Sequence, residues 1–271
     1  MTIAGPVAGV ACLLLAAGCV LLPTRPTPDQ VRGQLLQNES QVRTLRASAR
    51  VEAAGPDGSG TAPQAIAVAL PDRARLETLT PMGTTALVMV IRGEELRVHS
   101  PLRKEYGMGR ATAETLGRLI HVAVPPQFLL RILAGLPPLP LRPEDPRTQL
   151  TPEGAALRIE SVDGLWWQRL WTGEGDPAIV RGELGRAAGG LLRFGFADRR
   201  PDGDGTFPFA VWAEDANTGA RLTLTYERVR LNAPVEDSLF DLPLPADGSR
   251  IFRLDEGVPP DGSRPQTPGR P

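Results

Sequence analysis

The sequence predicts a mainly β chain of the α+β type, its antiparallel strands meandering one to the next, with two short amphipathic helices at mid-chain. Three observations carry this. The runs 155–160, 165–171, 179–183, 191–196, 207–212 and 221–231 are short and separated by Gly, Asp and Asn clusters, which is the spacing of strands joined by turns. Earlier, 73–79 and 85–91 flank Thr80-Pro81-Met82-Gly83-Thr84, where Pro81 fixes φ and Gly83 frees the backbone for a tight hairpin turn. Between the halves the period becomes helical. Leu116, Leu119 and Ile120 fall at i, i+3 and i+4, and after Val124-Pro125-Pro126 a second stripe runs through Phe128, Leu129, Ile132 and Leu133 until Gly135 and Pro137 stop it.

Taken in order, the first element lies outside the fold. The apolar run 7–17 has the length of a signal-peptide core and is too short to span a bilayer as a helix. It leads into Leu15-Ala16-Ala17-Gly18-Cys19, small residues before a Cys that resemble the bacterial lipobox. That resemblance implies cleavage before Cys19, with the Cys19 thiol carrying a diacylglycerol. An ordinary secretory signal needs the small residues but no Cys, and 1–6 lack the usual basic n-region. Both cysteines of the chain, Cys12 and Cys19, lie here. The rest therefore has no disulfide, thiolate metal site or Cys nucleophile. A lipobox Cys ends with three acyl chains, and two or more hold a protein stably on a membrane. Val20, rather than Asp, follows Cys19, so nothing resembles an inner-membrane retention signal, and the expected location is the bacterial outer membrane, facing the periplasm.

The remaining chain divides into a Pro-rich tether (20–28), one domain (29–254) and a Pro/Gly-rich tail expected to be disordered (255–271). The domain opens with a helix capped by Asp29, its apolar face made by Val31, Leu35 and Leu36 and running to about Val42. From Leu45 the period is two: Ala47, Ala49 and Val51 alternate with polar residues, and 56–60 turn the chain. The next strand puts Ile66, Val68 and Leu70 on one face and Ala65, Ala67 and Ala69 on the other. Small residues opposite large ones suit a curved sheet with one concave, packed or ligand-facing side. Shorter strands follow near 96–98 and 104–106. The two helices must bury their stripes against the sheet, where they act as a lid. In the last strand Leu222, Leu224 and Tyr226 share a face while Val229 and Leu231 are out of phase, so a bulge is expected at Glu227-Arg228. Trp166, Trp167 and Trp171 read as core.

Formal net charge is −1, from 30 basic and 31 acidic residues, with no basic block, so nucleic acid is not an expected partner. His99 and His121 are the only histidines. No His-x-x-x-His, Gly-x-Ser-x-Gly or phosphate-cradling glycine loop is present. Asp202-Gly203-Asp204-Gly205 shares the spacing of part of a calcium loop but lacks the closing acid. Glu160 with Asp163, and Glu214 with Asp215, sit at strand ends where charges are solvated. Neither an enzyme nor a metal or cofactor site is expected.

Two stretches carry a resemblance. Thr80-Pro81-Met82-Gly83-Thr84-Thr85-Ala86-Leu87 and Val124-Pro125…Leu129…Ile132-Leu133-Ala134-Gly135-Leu136-Pro137 resemble the Pro-Leu-Gly hairpin and the Pro-initiated helix of LolB, the outer-membrane receptor that takes lipoproteins from the periplasmic carrier LolA. The strand 65–70 lacks the Trp of that family. The closing run 234–243, with Phe240-Asp241-Leu242-Pro243, is more similar to the wider LolA-like lipoprotein group. The resemblance implies an incomplete antiparallel β-barrel whose concave side is closed by helices around an apolar cavity for acyl chains. It also implies that an apolar residue at the hairpin tip promotes delivery to the membrane, a role that falls by position to Met82, held by Pro81 and Gly83.

Met82 has two readings: folded back on its own hairpin, or aimed at a membrane or partner. Two functions follow for the chain. The first is acceptance of acyl chains of lipoproteins or lipids, with a LolA-type carrier as partner, the cavity and lid formed by Ile66, Val68, Leu87, Met89, Phe128, Leu129 and Ile132. The second is a structural or assembly lipoprotein of the same fold with a filled interior.

Overall fold

Backbone hydrogen bonding organises the chain into two antiparallel meanders that meet at the centre of one sheet. The computed structural model describes residues 25–256, except 57, 141–146, 187–188 and 203–204, so the expected signal segment with Cys19 and most of the expected tail lie outside the described residues. The elements are α1 (Pro28–Gln41), β1 (Thr44–Gly55), β2 (Gly58–Ala69), β3 (Arg73–Leu79), β4 (Thr85–Arg92), β5 (Glu95–Ser100), β6 (Glu105–Arg110), α2 (Ala113–Ile120) and α3 (Pro126–Leu133). The second meander follows as β7 (Gln149–Glu153), β8 (Ala156–Asp163), β9 (Trp166–Gly173), β10 (Asp176–Arg186), β11 (Leu191–Asp202), β12 (Gly205–Asp215) and β13 (Arg221–Leu231), before a 3₁₀ turn (Asp237–Phe240) and β14 (Arg250–Arg253). The order across the sheet is β14-β6-β5-β4-β3-β2-β1-β13-β12-β11-β10-β9-β8-β7. All pairs are antiparallel except β14 with β6. The sheet curls around the helices with β14 and β7 as its two edges, an incomplete barrel.

Local chemistry explains the helix ends. α1 is capped by Thr27, not Asp29: Pro28 occupies the first helical position, the Thr27 side chain accepts from the Gln30 amide, and the Gln30 side chain accepts from the Thr27 amide. α2 is capped by the Thr112 hydroxyl and ends at His121 in the left-handed region (φ 61). α3 starts on Pro126 and ends at Gly135 (φ +74).

The apolar faces of α1, α2 and α3 join the inward strand residues in one cluster filling the concave side. Inward residues pair across β2 to β5 as Ile66, Leu76, Met89 and Val98. The expected bulge is present: Ser48 pairs with Arg228 and Ala49 with Tyr226, which leaves Glu227 as the extra residue. Tyr226 and Val229 consequently both face inward.

The alanine face of β2 is convex, and part of it is covered. Ala67 and Ala69 pack with Val88, Val90 and Tyr106 beneath Phe240 and Leu242 of the C-terminal segment. The Tyr106 hydroxyl donates to the Leu242 carbonyl at 2.5 Å. Burial raises the Tyr106 pKa. Arg75 donates to the carbonyls of Leu239 and Asp241, and Arg92 pairs with Asp237 and Asp241.

Of the three tryptophans expected in the core, only Trp166 faces inward, edge-on to Phe128 at 5.1 Å between ring centroids. Trp167 and Trp171 lie on the convex face beneath Arg169 and Arg181. Alternation forces this split, because Gln168 and Leu170 occupy the inward positions.

Candidate functional site

The seven residues expected to form a cavity and lid share one side of the sheet. Ile66, Val68, Met89, Phe128, Leu129 and Ile132 are buried in the interior, while Leu87 packs against them at its rim. The centre is occupied by side chains. Phe207 meets Tyr226, and Phe194 meets Phe196, in edge contacts at 5.4 and 5.7 Å. Open space begins where the inward row turns polar: Gln64, Thr78 and Leu87 pair across β2 to β4, and the Ser100 hydroxyl of β5 donates to the Ala86 carbonyl at 3.1 Å.

There, between α2 and strands β4, β5 and β14, lies a cavity of about 490 Å³, within the roughly 300–1,000 Å³ range of small-molecule sites. Leu87, Val98, Leu119, Phe252 and Leu254 give it apolar walls, and Leu102, Arg103, Arg118 and Glu105 also line it. Of the expected cavity residues, Leu87 alone lines this space.

Sequence reasoning missed the cavity's outer wall because it missed β14. β6 presents Gly107 and Gly109, where a Cβ would meet Leu254 and Phe252 at 2.8–2.9 Å. The two glycines let these side chains fold over the edge strand. Arg118 of α2 donates to the Leu254 carbonyl at 3.0 Å and pairs with Glu114, tying the lid helix to β14.

Two hairpin turns flank this end of the sheet. In the β3–β4 turn the Gly83 amide donates to the Thr80 carbonyl at 2.9 Å, and the Thr80 amide to the Thr84 carbonyl at 2.8 Å. Gly83 takes φ +80, a region L side chains rarely adopt. Met82 is 94% exposed, so it is not folded back on its hairpin. The β5–β6 turn carries Leu102, 65% exposed, followed by exposed Arg103 and Lys104. The turns lie two strand spacings, roughly 10 Å, apart.

Other candidates do not assemble. His99 Nε2 lies 3.4 Å from Ser249 Oγ and 3.7 Å from Asp247 Oδ2. One nitrogen faces both groups, whereas a Ser-His-Asp relay uses opposite nitrogens. The Ser249 hydroxyl, first among several causes, lowers the Asp247 pKa. His121 stands apart at the end of α2. Glu160 pairs with Arg169 at 2.7 Å and Glu214 with Arg221 at 3.5 Å. The Asp202 turn is only partly within the described residues. Among these residues no three His, Cys, Asp or Glu side chains are grouped to hold a metal ion, and no helix is long and apolar enough to cross a membrane.

No protein-family model and no curated protein matches the chain. Solved structures do. The LolA superfamily protein NE2245 from Nitrosomonas europaea aligns with a TM-score of 0.51 and 12% identity, over 78% of this chain and 97% of its own. A DUF1329 family protein from Desulfovibrio piger aligns with a TM-score of 0.52 and 10% identity, over 80% and 98%. At such identities the likeness shows the fold alone: this chain has a LolA-like fold.

Proposed function

We propose that this chain is a lipoprotein of the bacterial outer membrane, anchored through acylated Cys19 and facing the periplasm, that accepts acyl chains and delivers them to the membrane as LolB does. The observation that carries this is the apolar cavity at the open end of the half-barrel, beside a hairpin that exposes Met82. An incoming acyl chain lies against Leu87, Leu119 and Phe252, and each buried methylene contributes about 0.8 kcal/mol. Transfer from a LolA-type carrier follows when burial is better in the acceptor. A chain longer than the present cavity is admitted by displacement of α2, which buries fewer side chains than α3. Met82 and Leu102 then enter the lipid interface, with Arg103 and Lys104 at headgroup level.

A second reading, a structural or assembly lipoprotein acting through protein contacts, is favoured by the side-chain-filled centre around Phe194, Phe207 and Tyr226. Titration with a fluorescent fatty-acyl probe, displaced by an acylated lipoprotein peptide, separates the two. Saturable binding that Leu87→Glu or Leu119→Glu abolishes in folded protein supports acceptance. A folded protein that binds no probe leaves the structural reading.

A further inference from the structure

We infer that the convex face carries a second binding site, one for a phosphate-bearing group, at the β1–β13 seam. It lies across the sheet from the acyl cavity and does not depend on that reading.

The site is a groove of about 440 Å³ lined by Arg46, Arg228 and Arg230. Arg46 and Arg230 are directly opposite in the register of β1 and β13, a placement in which like charges repel. All three arginines are exposed, and none has a carboxylate partner among the described residues. In a chain of net charge −1, three such cations around one groove are an excess the protein does not neutralise itself.

The groove is built by two local features. Its floor is Ala65 and Ala67 of β2, whose methyl side chains leave room above the sheet. The bulge at Glu227 supplies the cations. Without it, strict alternation from inward Tyr226 would turn Arg228 and Arg230 into the apolar interior. With it, Val229 takes the inward position and both arginines face the groove.

A fourth arginine, Arg75, is already engaged. Its Nε lies 2.6 Å from Glu77 Oε1, and its Nη1 donates to the Leu239 and Asp241 carbonyls at 3.3 Å. That wall is neutral, so the open valence belongs to the other three. Guanidinium forks match phosphate oxygens two at a time. A single carboxylate leaves two of the three positive charges unmatched, whereas a phosphate monoester or a pair of phosphodiesters neutralises two of the three.

The experiment titrates the full chain in nonionic detergent with inorganic pyrophosphate and with glycerol 3-phosphate. Separate arms use micelles doped with phosphatidylglycerol or with phosphatidylcholine. Binding of the soluble phosphates assigns a free ligand. Binding seen only with phosphatidylglycerol assigns a lipid headgroup. In either case affinity falls at least tenfold in the Arg46→Gln/Arg230→Gln variant and weakens with salt, while Arg193→Gln elsewhere on the convex face changes nothing. Pyrophosphate or phosphatidylglycerol also raises the Tm of the wild type but not of the variant. Should the Gln variant misfold, Arg46→Lys/Arg230→Lys keeps the charge, loses the fork and binds more weakly. No binding in any arm, binding unchanged in these variants, or binding of an oligoglutamate peptide without binding of phosphate overturns the assignment.

Discussion

The Tyr226 hydroxyl donates to the backbone carbonyl of Leu133 at 2.7 Å, deep in the interior. Leu133 is the last residue of α3, where helix carbonyls have no intrahelical partner. One side chain of β13 therefore terminates the lid helix and ties it to the central seam of the sheet. Removing the hydroxyl with Tyr226→Phe keeps the ring's packing on Phe207 but leaves a buried carbonyl unpaired. The expected cost is about 1–3 kcal/mol, measured by urea unfolding monitored by circular dichroism.

The same burial sets an alkaline limit. Desolvation raises the Tyr226 pKa well above its ordinary value of 10.0, and Tyr106 is raised in the same direction. The unfolded chain releases these protons first as pH climbs past about 10, so the stability they contribute is whole below that pH and lost above it. Unfolding free energy measured between pH 9 and 11.5 is expected to fall, and Tyr226→Phe to reduce the slope. An equal slope in the variant would assign the loss to other groups.

Gln168 is 1% exposed, yet all its polar atoms are used. Its Oε1 accepts from the Leu139 amide at 3.1 Å, and its Nε2 donates to the Leu139 carbonyl and to Ser161 Oγ, both at 3.0 Å. The side chain thus stands in for a strand partner to the segment after α3. Gln168→Leu strands an amide and a carbonyl without water, and about 2–4 kcal/mol of stability should be lost. A change under about 0.5 kcal/mol, within the noise of surface substitutions, would mean the segment is held by other contacts.

Gly135 ends α3 at φ +74, where an added Cβ would meet Pro208 at 2.9 Å and Phe207 at 3.1 Å. Both conformation and space oppose a side chain there. Gly135→Ala is expected to lower stability by about 1–3 kcal/mol. Gly83→Ala has the strain without the crowding and should cost less; thermal unfolding of the two variants side by side makes the comparison.

Met82 touches almost nothing, so Met82→Glu should leave the unfolding midpoint within about 0.5 kcal/mol of wild type. Its effect belongs to delivery. Release of a bound acyl probe to phospholipid vesicles should slow at least tenfold while binding itself stays unchanged. Equal release rates would remove the hairpin tip from the mechanism.

Much of this architecture was legible because it depends on local alternation. The break in phase between Tyr226 and Val229 located the bulge, and the apolar stripes located α2 and α3. Ile66 and Val68 declared the interior face by size against their alanine neighbours. What sequence hid were long-range placements. β14 is four residues of Arg-Ile-Phe-Arg, too short to show a period, and its parallel partner β6 lies some 145 positions earlier. The cavity wall from Phe252 and Leu254 was invisible for the same reason. The expected Asp29 cap lies two residues past the true one, because Pro28 takes the first helical position and leaves Thr27 to cap the helix. The anion groove needed the β1–β13 register, which no single strand reveals.

The central claim is that an acyl chain occupies the space between α2 and strands β4, β5 and β14. The most direct test is photolabelling with a diazirine-bearing palmitate, followed by peptide mapping of the adducts. Saturable labelling confined to peptides bearing Leu87, Leu119 and Phe252, and competed away by an acylated lipoprotein peptide, is the expected result. Absence of labelling in folded protein, or adducts spread over the convex face, would contradict it.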